Sequence, residues 1–313
     1  MSGWMERTVG RSGRAAGLLA MLAAGGVGLA LAGGCPAEPA PVIGYANTTD
    51  PTNRGAVYVG ATACGACHAD VAATAARHGH ELALVDVGGA GVARAGQCEA
   101  CHGPGSNHLP RPRARDLFVD SSVRTCARCH TDGPDPRVIT AQDGFISPLT
   151  QYAELLASGG HAAFNCTFCH DPHASTRNDR ALGIRNGCMA CHGDVNMARH
   201  AGAVYRLGDY VEPLTCESCH MPPAAGRDTV GGTLGPLARA GDVSSHIFRI
   251  DSGSLDAATM FTLDGTAVRK DAQGRAAVTL DFVCMRCHHG QGSAFEISPA
   301  GVLNAAPGLH FEP

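Results

Sequence analysis

The sequence predicts a mostly irregular chain with short α-helices, wrapped around an interior that its own side chains do not supply, and one small β-meander near residues 260–283. Three observations lead there. Gly 41 and Pro 18 together are 59 of 313 residues, which favours turns over long ladders because glycine is conformationally permissive and proline removes a backbone donor. Aromatic residues are only 5%, and the single tryptophan, Trp4, sits at the extreme N-terminus, so an aromatic-rich core is not on offer. Fourteen of the fifteen cysteines fall into seven Cys-x-x-Cys pairs, every pair is followed at once by histidine, and only Cys35 is left over.

The seven motifs are Cys64-Gly-Ala-Cys67-His68, Cys98-Glu-Ala-Cys101-His102, Cys126-Ala-Arg-Cys129-His130, Cys166-Thr-Phe-Cys169-His170, Cys188-Met-Ala-Cys191-His192, Cys216-Glu-Ser-Cys219-His220 and Cys284-Met-Arg-Cys287-His288. Zinc and iron–sulfur clusters use paired cysteines, but neither needs a histidine after every second cysteine in seven of seven cases. Two thiols three residues apart can each form a thioether to a haem vinyl group, and the next residue is then placed to ligate the iron. The spacing therefore predicts seven covalently bound haem c groups. The 279 residues after Gly34 allow about 40 residues per site, so the cofactors themselves are expected to fill the interior, with apolar side chains covering their faces.

The N-terminus reads as a targeting segment over residues 1–34: Arg7, Arg11 and Arg14 precede an apolar run from Ala15 to Ala32. The run stops at Leu31-Ala-Gly-Gly-Cys35, which resembles a bacterial lipobox whose cysteine is lipidated. An ordinary signal peptide or an uncleaved anchor reads from the same residues. Residues 35–56, with Pro36, Pro39, Pro41 and Pro51, read as a flexible tether, and 57–313 as the haem domain with a β-containing insertion at about 224–283. Losing residues 1–34 moves the net charge from -4 to -6, and haem propionates add to the acidity, which excludes nucleic acid as a partner. The basic residues are arginines apart from Lys270. A planar guanidinium suits a propionate, although a GC-rich genome gives the same bias.

Between motifs, Ser147-Pro148 reads as the start of a helix to Ser158 stopped by Gly159, and Asp194 as the cap of a helix to about Leu207 ended by Gly208. The meander is read as Met260–Leu263, a turn at Asp264-Gly265, Thr266–Arg269, a turn near 271–274, and Ala276–Val283. Steps between motifs of 34, 28, 40, 22, 28 and 68 residues exclude a regular solenoid.

The region from Cys64 to His289 resembles the multihaem c-type cytochromes. CEACHGPGSNH from Cys98 to His108, CTFCHDPH from Cys166 to His173, CESCHMP from Cys216 to Pro222 and SSHIF ending at Phe248 are similar to stretches that recur in that family. The resemblance implies an extracytoplasmic chain, in the periplasm or at the cell surface, and the lipobox-like Cys35 is expected to hold it to a membrane. It further implies a non-enzymatic electron carrier or conduit whose partners are other redox proteins or an extracellular electron acceptor. Two alternatives stand beside it: a reductase or oxidase of nitrogen or sulfur compounds with one open iron, and a homo-oligomeric filament subunit.

An iron with histidine on both sides suits electron transfer, whereas an open position binds substrate. Nine histidines remain after the seven motif histidines: His78, His80, His108, His161, His173, His200, His246, His289 and His310. The distal ligands are expected to be His80 or His78, with His108, His161, His173, His200 and His246, and with His289 or His310 for the seventh. His310 could instead reach another subunit.

Overall fold

The computed structural model describes residues 55–77, 80, 98–113, 116–117, 122–197, 200–226 and 237–310. The targeting segment, almost all of the tether, Cys35 and His78 lie outside them. Among the described residues no helix is long and apolar enough to cross a membrane.

Each motif closes one helical turn. The histidine N–H donates to the carbonyl of the first cysteine at 2.9 Å in motifs 1, 3, 4 and 5 and at 3.0 Å in motif 7, and motifs 2 and 6 are the helices Cys98–His102 and Cys216–His220. Positions i, i+3 and i+4 of a helical turn share a face, so two thiols and one imidazole project together. The helices are short, as the glycine and proline content predicts, and the segments between them are mostly turns and bends.

The side chains do build a core, and here the structure corrects the sequence. Ile139, Ala141, Phe145, Ile146, Ala153 and Ala157 pack against Ala224, Ala225, Ile247, Met260, Phe261, Val268, Val278, Phe282 and Val283. Phe145 and Phe282 meet edge to face with ring centres 5.6 Å apart. Few aromatics in total did not prevent three of them from converging. Residues 224–225 and 247–283 are therefore the partners that bury the apolar side chains of 139–157.

Strand pairing holds this core in register. β1 (Ala141–Gln142) and β2 (Phe145–Ile146) form a hairpin whose Asp143 and Gly144 both have positive φ, 54° and 79°, the backbone that a two-residue primed turn demands. β3 (Val204–Leu207) and β4 (Tyr210–Pro213) form a second hairpin. β5 (Ile250–Asp251) and β6 (Val278–Thr279) pair in parallel.

Several expected elements differ. No helix runs from Asp194 to Leu207: Val204–Leu207 is the strand β3, and Gly208, at φ 57°, opens the turn into β4 rather than capping a helix. Tyr205 buries one face while Val204 and Arg206 stay exposed, a period-2 pattern. The helix expected from Ser147 spans Gln151–Leu156, starting after Thr150, whose hydroxyl donates to Glu154 Oε1 at 2.8 Å. The meander reduces to one antiparallel bridge, Phe261 with Val268, across the Asp264-Gly265 turn. Its third strand divides into β6 and the helix Leu280–Val283 that leads into motif 7.

Candidate haem-binding cavity

All fourteen motif cysteines and all seven motif histidines line one continuous cavity of about 3010 Å³. Pockets for a single drug-sized ligand hold roughly 300–1,000 Å³, so this space suits several large groups.

Across it, every motif histidine faces one further histidine. The ring-centre distances are 6.4 Å for His68 with His108, 5.8 Å for His102 with His173, 5.9 Å for His130 with His80 and 6.0 Å for His170 with His246. They are 6.0 Å for His192 with His161, 5.7 Å for His220 with His310 and 6.1 Å for His288 with His200. Two imidazoles each bound at about 2.0 Å to one metal ion place their ring centres about 6.3 Å apart. The residues thus fit an iron between each pair.

Second contacts orient these rings. Nδ1 lies against a backbone carbonyl in His108 (Arg113, 3.0 Å), His220 (Phe248, 2.8 Å), His288 (Phe295, 2.7 Å) and His310 (Asn196, 2.8 Å). A carbonyl only accepts, so Nδ1 carries the proton and Nε2 keeps its lone pair for a metal. His220 and His310 turn their Nε2 atoms toward each other at 3.4 Å. The Gln151–Leu156 helix serves two sites. Gln151 Oε1 meets His130 Nδ1 at 2.9 Å, and Glu154 Oε2 accepts from the His246 backbone N–H at 2.6 Å.

Electrostatics favour neutral imidazole. Burial, with His170 and His130 nearby, pushes His246 down to about 3. Burial likewise lowers His161, His170 and His200. A metal ligand must be deprotonated, and these rings are so at neutral pH. Burial raises the thiols of Cys188 and Cys284 to about 12 and that of Cys287 to about 11, which keeps them protonated and unreactive. Cys166 goes the other way, to about 7, because the Cys126 thiol hydrogen-bonds to it. Thirteen of the fourteen motif cysteines are free thiols.

His289 is turned away from the cavity. Its Nε2 lies 3.0 Å from the hydroxyl of Tyr205, whose ring also meets Tyr210. Beside them Arg286, inside motif 7, forms a two-pronged ion pair with Glu212 and donates to the Ser218 carbonyl at 3.1 Å. The sequence alone gives no constellation for the tyrosines, because β3, which carries Tyr205, reads as the end of a helix and its pairing with β4 is not visible.

Inside motif 2, Glu99 is 2% exposed and accepts from Val59, Gly60 and Gly105 N–H groups at 3.0, 2.8 and 2.8 Å. These charged positions between the cysteines were not singled out from sequence, since nothing in the spacing distinguishes a buried Glu from an exposed one.

No family model and no curated protein matches the chain. Among solved structures, the chain is similar to the octaheme sulfite reductase MccA of Wolinella succinogenes, with 18% identity and a TM-score of 0.39. The match covers 62% of this chain and 36% of that one, so this chain spans about a third of the length of the protein it matches. The matched protein is a reductase, hence an enzyme, and with that finding the expectation of a chain that is no enzyme is withdrawn.

Proposed function

We propose that the chain is a multihaem c-type redox protein that moves electrons through seven bis-histidine haem sites outside the cytoplasm, with Cys35 as its lipid anchor. The observation that carries this reading is the pairing of all seven motif histidines with seven others across one cavity. Covalently bound haem supplies one-electron iron chemistry. The protein's residues do the rest. The thiols would fasten each group, and the paired imidazoles would bind its iron. The carbonyls of Arg113, Phe248, Phe295 and Asn196 keep four of the rings in the ligating tautomer. His80, His108, His161, His173, His200, His246 and His310 are the distal ligands, and His289 is none.

Single histidine-to-alanine variants of the full haem-loaded chain test the assignment by visible and electron paramagnetic resonance spectra. Each of the seven should convert one low-spin haem in seven to a high-spin form that binds carbon monoxide, and His289→Ala should convert none. Conversion by His289→Ala, or no change in His310→Ala, refutes the ligand set.

A second reading, reduction of a nitrogen or sulfur oxyanion, draws on the cluster of Tyr205, Tyr210, Arg286 and His289 beside Cys287. Carbon monoxide binding to the unaltered chain would favour it.

A further inference from the structure

We infer that Phe248 is a positioning residue shared by three haem sites: its ring fixes the planes of the distal imidazoles at sites 4 and 5, and its backbone carbonyl fixes the motif imidazole at site 6. The inference rests on the haem reading above and deepens it, each site taking the number of its motif.

Three contacts of one residue carry it. The ring stacks on His161, the partner of His192 at site 5, with ring centres 4.5 Å apart and 28° between the planes. It stands nearly upright against His246, the partner of His170 at site 4, at 6.2 Å and 83°. Offset stacking and edge-to-face packing are the two arrangements that aromatic pairs favour. The Phe248 carbonyl accepts from Nδ1 of His220, the motif histidine of site 6, at 2.8 Å. Contacts of this kind set the orientation of a ligand ring and the nitrogen that it offers to a metal.

The backbone makes the triple contact possible. Phe248 has φ 60°, a left-handed conformation that is an outlier for a bulky side chain. Among the described residues, Asp143 is the only other non-glycine with positive φ. Asp143 sits in a hairpin turn that demands it, whereas Phe248 lies outside any helix, strand or turn. Such a conformation persists where its surroundings over-determine it, and here every neighbour is tied down. Ser245 N–H donates to the Pro222 carbonyl at 3.0 Å, His246 N–H to Glu154 Oε2 at 2.6 Å and Ile247 N–H to Ser245 Oγ at 3.2 Å. Ile247 is buried in the core, and on the other flank the Arg249 carbonyl accepts from Val278 N–H at 2.8 Å. With both flanks held, an extended φ at Phe248 would carry its ring and its carbonyl away from their partners.

Electron paramagnetic resonance of the fully oxidised, haem-loaded full chain tests this, because the g-values of a low-spin ferric haem follow the mutual orientation of its two axial imidazole planes. His246→Ala, His161→Ala and His310→Ala mark the signals of sites 4, 5 and 6 by their loss. Phe248→Gly removes the ring and takes φ 60° freely, so the signals of sites 4 and 5 should shift while site 6 keeps its own. Phe248→Val also removes the ring, but a β-branched residue resists that φ, so all three signals should shift. Unshifted signals at sites 4 and 5 in Phe248→Gly overturn the role of the ring. A shift at site 6 in that variant, or none there in Phe248→Val, overturns the role of the carbonyl. Where a variant does not fold, the crystal structure of the unaltered haem-loaded chain decides, and a negative φ at Phe248 or the loss of any of the three contacts overturns the inference. Intact mass separates the two levels of failure. Absence of haem adducts ends the haem reading, whereas seven adducts with unmoved signals end only the role of Phe248.

Discussion

Replacing Glu99 should loosen the N-terminal end of the haem domain before anything else. The carboxylate is 2% exposed, and its two oxygens accept from three backbone N–H groups, those of Val59, Gly60 and Gly105. A buried donor left without a partner costs about 1–3 kcal/mol, so Glu99→Ala should cost roughly 3–9 kcal/mol, toward the lower end once water enters the gap. That is a large share of the roughly 5–15 kcal/mol that stabilises a typical domain. Glu99→Gln keeps one carbonyl oxygen and turns an NH₂ toward a donor, so it should lose about a third to two thirds of that amount. Hydrogen exchange of the haem-loaded protein, read by mass spectrometry with the thermal midpoint alongside, checks this. Val59, Gly60 and Gly105 amides should exchange faster in the order alanine, glutamine, wild type. Unchanged exchange at all three amides in Glu99→Ala would refute the reasoning.

Two further outcomes follow from buried charge. Burial raises Glu154 from 4.5 to about 7, so the folded state holds the proton more tightly than the unfolded one. The contribution of Glu154 to stability is then greatest below pH 4.5 and falls by about 3 kcal/mol as pH rises to 7. Thermal midpoints of wild type and Glu154→Gln at pH 5 and pH 8 should show this decline only in the wild type, and equal declines would remove Glu154 as its source. Arg286, 4% exposed, leaves Glu212 uncompensated if replaced, which costs about 3–5 kcal/mol for a buried pair. Arg286→Met should lower the guanidinium midpoint, and adding Glu212→Gln should restore part of it. A single variant as stable as wild type would mean the pair is idle.

The seven motifs from Cys64 to His288 were readable without any fold, because covalent haem attachment, the chemistry proposed for them, demands fixed spacing. The histidines that face the motif histidines were legible as a group and not individually. His289 follows a motif histidine directly, and adjacent residues of a turn face different ways. Its ring goes to Tyr205, and His310, ninety residues from His220 in sequence, comes back to face it. The hairpin at 204–213 was misread because Gly208 stops a helix and opens a two-residue turn equally well, and only its pairing partner decides. The aliphatic core escaped notice for a different reason. Its members, Ile139 to Ala157 and Ala224 to Val283, are separated by sixty residues or more of haem-motif sequence, so neither half shows a periodic face complete in itself.

That separation has a kinetic side. The bridges Ile146 with Ala225 and Thr140 with Ala267 join strands far apart in the chain, and long loops must close before such contacts stabilise anything. A nascent chain presents motifs 1 to 6 before Ala267 exists to dock. The core therefore acts as a late latch. On the proposed haem reading, Cys64 to Cys219 are open to attachment chemistry until the core residues from Ala224 to Val283 have been made and close over residues 139–157.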